Sequence, residues 1–202
     1  MSATRKKFAR ITSPLGTAIY PRLTTPDTKF DKDGVYSVDL ELDPKDKASK
    51  DFIASLNKAA DEAYESECEK RGGKKLKRSA MPIKETDEGM IRIKFKLKAK
   101  AGNEEKSWEQ KPVLFDSAGT AIQTPPNVGS GSKIKVAFEV VPFFTAMVGA
   151  GISLRMKAVQ IVELREYVPG DNFDAYGFKA DPKGFVASAN ANDATGSEDN
   201  DF

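Results

Sequence analysis

The chain has 202 residues, 39% hydrophobic and 31% charged, enough apolar material to bury a core in one domain or two small ones. It holds no His and a single cysteine, Cys68. That excludes imidazole acid–base chemistry, Ser-His triads, His metal sites, a Cys-based zinc site and an intrachain disulfide. The net charge of +2 hides a polarity: from position 184 onward there are four acids (Asp193, Glu198, Asp199, Asp201) and no base. Taking those four from the 30 acids leaves 26 against 32 bases in the first 183 residues, a balance of +6. A basic body with an acidic end suggests a polyanion partner and a tail. No apolar run reaches the ~20 residues of a membrane span, and residues 1–7 lack the apolar core of a secretory signal. A reducing cytoplasm, with no membrane and no cofactor, is the expected setting.

In chain order, residues 2–7 form a basic arm. Residues 8–20 read as a strand broken by a bend at Pro14 and Gly16. No acid appears before Asp27, whereas Arg10 and Arg22 do. Residues 24–34 are dense in turn formers and predict a loop. Tyr36, Val38, Leu40 and Leu42 alternate with Ser37, Asp39 and Glu41, a second half-buried strand. Asp43-Pro44 fits an N-cap and first helical position, and Phe52, Ile53, Leu56, Ala60, Ala63 and Tyr64 make one apolar stripe up to about Lys70, with Gly72-Gly73 as the stop. Residues 70–84 then carry seven bases and no acid, equally readable as a solvated flap or a clamp.

Residues 90–100 carry the strongest pattern. Ile91, Ile93, Phe95 and Leu97 alternate with Arg92, Lys94, Lys96 and Lys98, giving a strand with one apolar and one cationic face. Like charges stacked on one face repel, so a polyanion that neutralises them is the functional reading. A solvated edge on which Lys discourages aggregation is the structural one. Beyond a polar turn, Trp108 and residues 113–115 suggest a hairpin partner. The Gly-Ser-Gly-Ser run at 129–132 resembles a phosphate cradle superficially, but it precedes a strand and lacks the rest of a P-loop. Ile134 to Val140 alternate as a strand, residues 142–151 read as an apolar loop with Phe143, Phe144 and Met147, and residues 152–164 as a last strand with a bulge where the phase shifts. Phe173, Tyr176, Phe178 and Phe185 suggest a segment wrapping back on the body, and residues 188–202 are polar enough to predict disorder.

Five main strands and one helix without strand–helix repetition predict a mainly β chain: a five-stranded antiparallel OB-fold barrel with one helix between the second and third strands, over 1–187, and an acidic tail over 188–202. The order of the pieces resembles the bacteriophage single-stranded DNA-binding proteins of helix-destabilising OB type. The resemblance rests on Lys-Phe-Asp-Lys-Asp-Gly-Val-Tyr-Ser-Val-Asp-Leu at 29–40, the helix after Asp43-Pro44, Val-Gly-Ser-Gly-Ser-Lys-Ile-Lys-Val at 128–136, the run at 149–164 and the acidic end closing in Phe202. It implies binding of single-stranded DNA by the barrel in phage replication and recombination, in the cytoplasm of an infected bacterium. It also implies contact with phage or host replication proteins, polymerase or helicase, through the tail residues Glu198, Asp199, Asp201 and Phe202. The tail here is short and modestly acidic.

Sequence-independent binding needs cations for phosphates and aromatic faces for bases. The phosphate candidates are Arg10, Arg22, Lys29, Arg92, Lys94, Lys96 and Lys98. The stacking candidates are Trp108 and Tyr36, then Tyr20 and Phe143, each weighed against core packing, strongest for Tyr36. Self-association into a homodimer is compatible with the sequence and not specified by it. Two other classes stand beside this reading: an annealing protein acting also on duplex DNA or RNA, and a metal-dependent nuclease using Asp27 and Asp43-Pro44-Lys45.

Overall fold

A computed structural model describes Phe8 and residues 10–102 and 106–167. Its elements are β1 (Arg10–Thr12), β2 (Gly16–Asp27), β3 (Val35–Leu42), α1 (Lys47–Lys70), β4 (Ile83–Glu85), β5 (Ile91–Lys98), β6 (Lys100–Gly102), β7 (Ser107–Glu109), β8 (Val113–Phe115), β9 (Lys133–Thr145) and β10 (Gly149–Glu163). Five of them close on themselves: β2 pairs with β3, β3 with β5, β5 with β10, β10 with β9, and β9 returns to β2. This is the five-stranded OB barrel expected, with α1 between its second and third strands. It is not wholly antiparallel, because β10 runs parallel to β5 at Arg155–Lys96 and parallel to β8 at residues 158–160. Residues 113–115 therefore extend the sheet beside β10 and do not fold back as a hairpin arm.

The period-2 pattern decides what each strand buries. Tyr36, Val38, Leu40 and Leu42 of β3, Ile93, Phe95 and Leu97 of β5, and Ile134, Val136 and Phe138 of β9 all point inward. Phe138 sits at the centre, 4.9 Å from the Phe95 ring and 5.9 Å from Phe52 of α1 in an edge-to-face contact. The helix buries the predicted stripe, Phe52, Leu56, Ala60 and Ala63, against β9 and β10.

Three local readings change. The N-cap is Asp46, whose carboxylate accepts from the Ser49 amide at 3.0 Å; Asp43 instead accepts from the Lys45 amide at 2.8 Å and shapes the preceding turn. β2 continues through residues 24–27, with Pro21 and Pro26 falling in the two irregular stretches of its pairing with β3. The apolar loop expected at 142–151 is a hairpin: Phe143 pairs with Gly151 and Phe144 with Ala150 across a turn at 146–148. Its Gly149 has φ +93°, and a Cβ there would strike the Lys77 carbonyl. The bulge expected in the last strand is present, between Met156 and Ala158. The wrapping aromatics Phe173, Tyr176, Phe178 and Phe185 and the tail 188–202 lie outside the described residues.

Candidate nucleic-acid interface

The outward face of the barrel is built by register. Arg22 of β2 is the partner of Ser37 on β3, Ser37 of Lys96 on β5, and Lys96 of Arg155 on β10. Arg155 is in turn the partner of Glu139 on β9, and Glu139 of Arg10 on β1. Partnered residues share a face, so Arg22, Ser37, Lys96, Arg155, Glu139 and Arg10 form one transverse row. Because it crosses all five strands of the closed barrel, the row winds round its outer surface, about 24 Å of contour at the usual spacing between strands. Four of its six members are cations. The only acid, Glu139, is held by Arg155 through Nε at 3.0 Å and Nη2 at 2.7 Å to one carboxylate oxygen.

Along β5 the cations are not left to repel one another. Arg92 donates to Glu41 at 2.7 Å, Lys94 lies 3.6 Å from Asp39, and Lys98 lies 3.4 Å from Asp31. The bond to Glu41 pushes the Arg92 pKa up, favouring its charged form. The repulsion expected on this face is relieved within the protein: β3 supplies carboxylates at two of the four positions and the 28–34 loop a third. Lys96 is the exception, facing neutral Ser37 with no ion pair to any described residue.

The aromatic candidates separate. Tyr36 is 8% exposed and belongs to the barrel core, so no ring face is available to a base. Tyr20 is 74% exposed and has the only positive φ of a non-glycine among the described residues, +48°. Trp108, 41% exposed, stands on the separate β6–β7 hairpin opposite Ala101, and Ala101 and Ser107 of that hairpin line a cleft with Arg155 of the row. Phe143 lines a cleft of about 660 Å³ with Arg92, Lys94 and Lys96, but Asp39, Glu85, Asp87 and Glu88 line it too. Lys29 lies 5.5 Å from the centre of the Phe30 ring.

Three residues were missed by the sequence reading. Phe30 is 91% exposed at the tip between β2 and β3, Arg155 completes the row, and Tyr167 lines a cleft with Tyr20. Phe30 had a signal, an isolated aromatic among turn formers, and so did Arg155, which alternates with buried Leu154 and Met156. Tyr167 had none.

The nuclease alternative finds no site here. Asp27 lies opposite Val35, and Asp43 is eight residues further along, roughly 26 Å of extended chain. Each carboxylate accepts a backbone amide, from Lys29 and Lys45 respectively. Among the described residues no group of three or more acids or cysteines is placed to hold a metal.

A family model for the single-stranded DNA-binding protein of bacteriophage T7 matches residues 15–164, the whole barrel. The chain belongs to that family. It is 32% identical to the single-stranded DNA-binding protein of Escherichia phage T7, over 89% of this chain and 86% of that protein. Against the single-stranded DNA-binding protein of Enterobacteria phage T3 the identity is 33%, over 93% of this chain and 89% of that one. Its structure is similar to the crystal structure of gp2.5, the single-stranded DNA-binding protein encoded by bacteriophage T7, with a TM-score of 0.73 at 30% identity, covering 90% of this chain and all of that one. The single-stranded DNA-binding protein of bacteriophage Enc34, in complex with ssDNA, shares the fold at 18% identity, with a TM-score of 0.56 over 78% of this chain and 88% of that one. Within the family match lie β2, β3, β5, β9 and β10, and with them Arg22, Lys96 and Arg155.

Proposed function

We propose that this chain is a sequence-independent single-stranded DNA-binding protein of phage replication and recombination, with no catalytic activity of its own. The observation that carries the reading is the transverse row Arg22–Ser37–Lys96–Arg155–Glu139–Arg10. It offers phosphates a succession of cations round the outer face of the barrel, the kind of contact that binding without sequence preference uses. Membership of a family whose named relatives are single-stranded DNA-binding proteins supports it. Phe30, beside Lys29 at the tip between the first two barrel strands, is placed to stack a base.

Titrating the full chain with oligo-dT, with duplex and with RNA across a salt series, read through the single Trp108, tests the proposal. Tight, salt-sensitive binding of oligo-dT over duplex is expected; equal affinity for all three would favour a general annealing protein instead.

In the same reading the tail residues Glu198, Asp199 and Asp201 occupy the basic groove when DNA is absent, and Phe202 with its carboxylate docks on a polymerase or helicase once DNA displaces them. Deleting residues 188–202 raises low-salt affinity for oligo-dT under this scheme; unchanged or weaker binding rules the competition out.

A further inference from the structure

We infer that the cleft between Tyr20 and Tyr167 is a base-stacking pocket at one end of the cation row, an inference that rests on the single-stranded DNA reading above. The cleft measures about 440 Å³ and is lined by Tyr20, Arg22, Thr24, Asn127, Ser130 and Tyr167 among others, none of them acidic. In this it differs from the larger cleft at Phe143, where four carboxylates stand beside Arg92, Lys94 and Lys96.

The backbone is bent to put Tyr20 there. Ala18 points into the core and Ile19 outward, so an unbroken strand would send Tyr20 inward beside Val38. Instead Ile19 pairs with Asp39 and Arg22 with Ser37, so that Tyr20 and Pro21 together oppose the single residue Val38. This bulge, with Tyr20 at φ +48°, turns the ring out of the barrel. The Tyr20 amide donates to Ser130 Oγ at 2.9 Å, which ties the bulge to the 127–132 loop. A bulky residue in the left-handed region is unfavourable, and exposing an apolar ring forgoes its burial. Neither feature serves the barrel, and such strain collects where a ligand is met.

The opposite wall is held independently. The Tyr167 amide donates to the Asn127 carbonyl at 2.7 Å, and Asn127 Nδ2 returns a bond to the Tyr167 carbonyl at 3.0 Å. Gly129 makes the clasp possible, since a Cβ there would come within 2.8 Å of the Arg165 carbonyl. Tyr167 is thus fixed at its backbone while its side chain remains 56% exposed. Two rings on one cleft, with Arg22 belonging to both cleft and row, suit a nucleobase and its phosphate. Thr24 and Asn127 offer hydrogen bonds that any base edge can use.

The test compares full-length wild type with Tyr20→Gly and Tyr167→Ala on oligo-dT and on an abasic oligonucleotide of equal length. Glycine accepts the positive φ, so Tyr20→Gly is expected to keep or raise the melting temperature while binding oligo-dT five- to a hundredfold more weakly, the equivalent of about 1–3 kcal/mol of stacking. Both variants are expected to bind the abasic strand as wild type does. Variants that bind oligo-dT as tightly as wild type overturn the pocket alone, as do variants that lose both ligands equally. A wild type that fails to bind oligo-dT overturns the parent reading with it.

Discussion

Lys96 on β5 faces Ser37 on β3, whereas its neighbour Lys94 faces Asp39 at 3.6 Å. Two lysines that look interchangeable in the sequence therefore present different charge to a phosphate. A cation already matched by a carboxylate releases few counterions when DNA arrives; one facing a hydroxyl releases them in full. Removing the matched pair together, in Lys94→Ala with Asp39→Asn, is expected to leave the slope of log affinity against log salt as it is in wild type. A salt titration with oligo-dT measures this directly, and a slope reduced by about 0.7 would assign Lys94 a phosphate of its own.

Asp39→Asn alone is expected to strengthen single-strand binding by up to about fivefold, the scale of one exposed ion pair. Asp39 Oδ1 is buried without a hydrogen bond, within ion-pair reach of Lys94 but beyond hydrogen-bonding distance. Losing the carboxylate charge removes a desolvation cost and frees the ammonium for phosphate. Anisotropy titration alongside a urea melt should show tighter binding with stability unchanged or improved.

The core prediction concerns Phe138, which touches rings from both the third barrel strand and the helix. Phe138→Ala opens a cavity where Phe52 and Phe95 converge and is expected to cost roughly 3–5 kcal/mol. Urea unfolding followed by circular dichroism measures the loss. A cost under about 1 kcal/mol would mean that the helix does not pack on the barrel as described.

A pH effect is expected at the end of α1. Lys70 donates to Glu67 at 2.9 Å, and Arg71 lies 3.5 Å away. The Lys70 bond first, then the charges of both bases, hold the Glu67 carboxyl below its ordinary range. A carboxyl depressed in the folded state contributes stability above its unfolded pKa, about 4.3, and that contribution fades as pH falls through the folded value. Glu67→Gln is therefore expected to lower the denaturation midpoint at pH 7 and to match wild type in strong acid. An equal gap at both pH values would contradict the assignment.

How much of this was legible in the sequence varied with the range of the interaction. The faces of β3 and β5 follow from strict alternation, a property of each strand alone, and the stripe of α1 follows from its spacing in the same way. The pairing of Arg92 with Glu41 spans 51 positions, and local pattern could not align two strands separated by a helix. So the cationic face was visible while its neutralisation was not. The 142–151 hairpin was hidden because Pro142 and the glycines at 149 and 151 carry loop chemistry, although they pair across β9 and β10. The outward turn of Tyr20 depends on one bulged residue, which inverts a phase that alternation would have extended. Tyr36 shared its phase with Val38 and Leu40, and that plain signal for burial was the right one.

The central claim is that phosphates are received by the row round the barrel, at Arg22 and Lys96, and not by the paired cations Arg92, Lys94 and Lys98 along β5. The salt slope of oligo-dT binding for Arg22→Ala with Lys96→Ala, against wild type, tests it most directly. Loss of two phosphate contacts lowers the slope by about 1.4 on the single-strand scale of roughly 0.7 per contact, and that is the expected result. An unchanged slope in a variant that remains folded would contradict it.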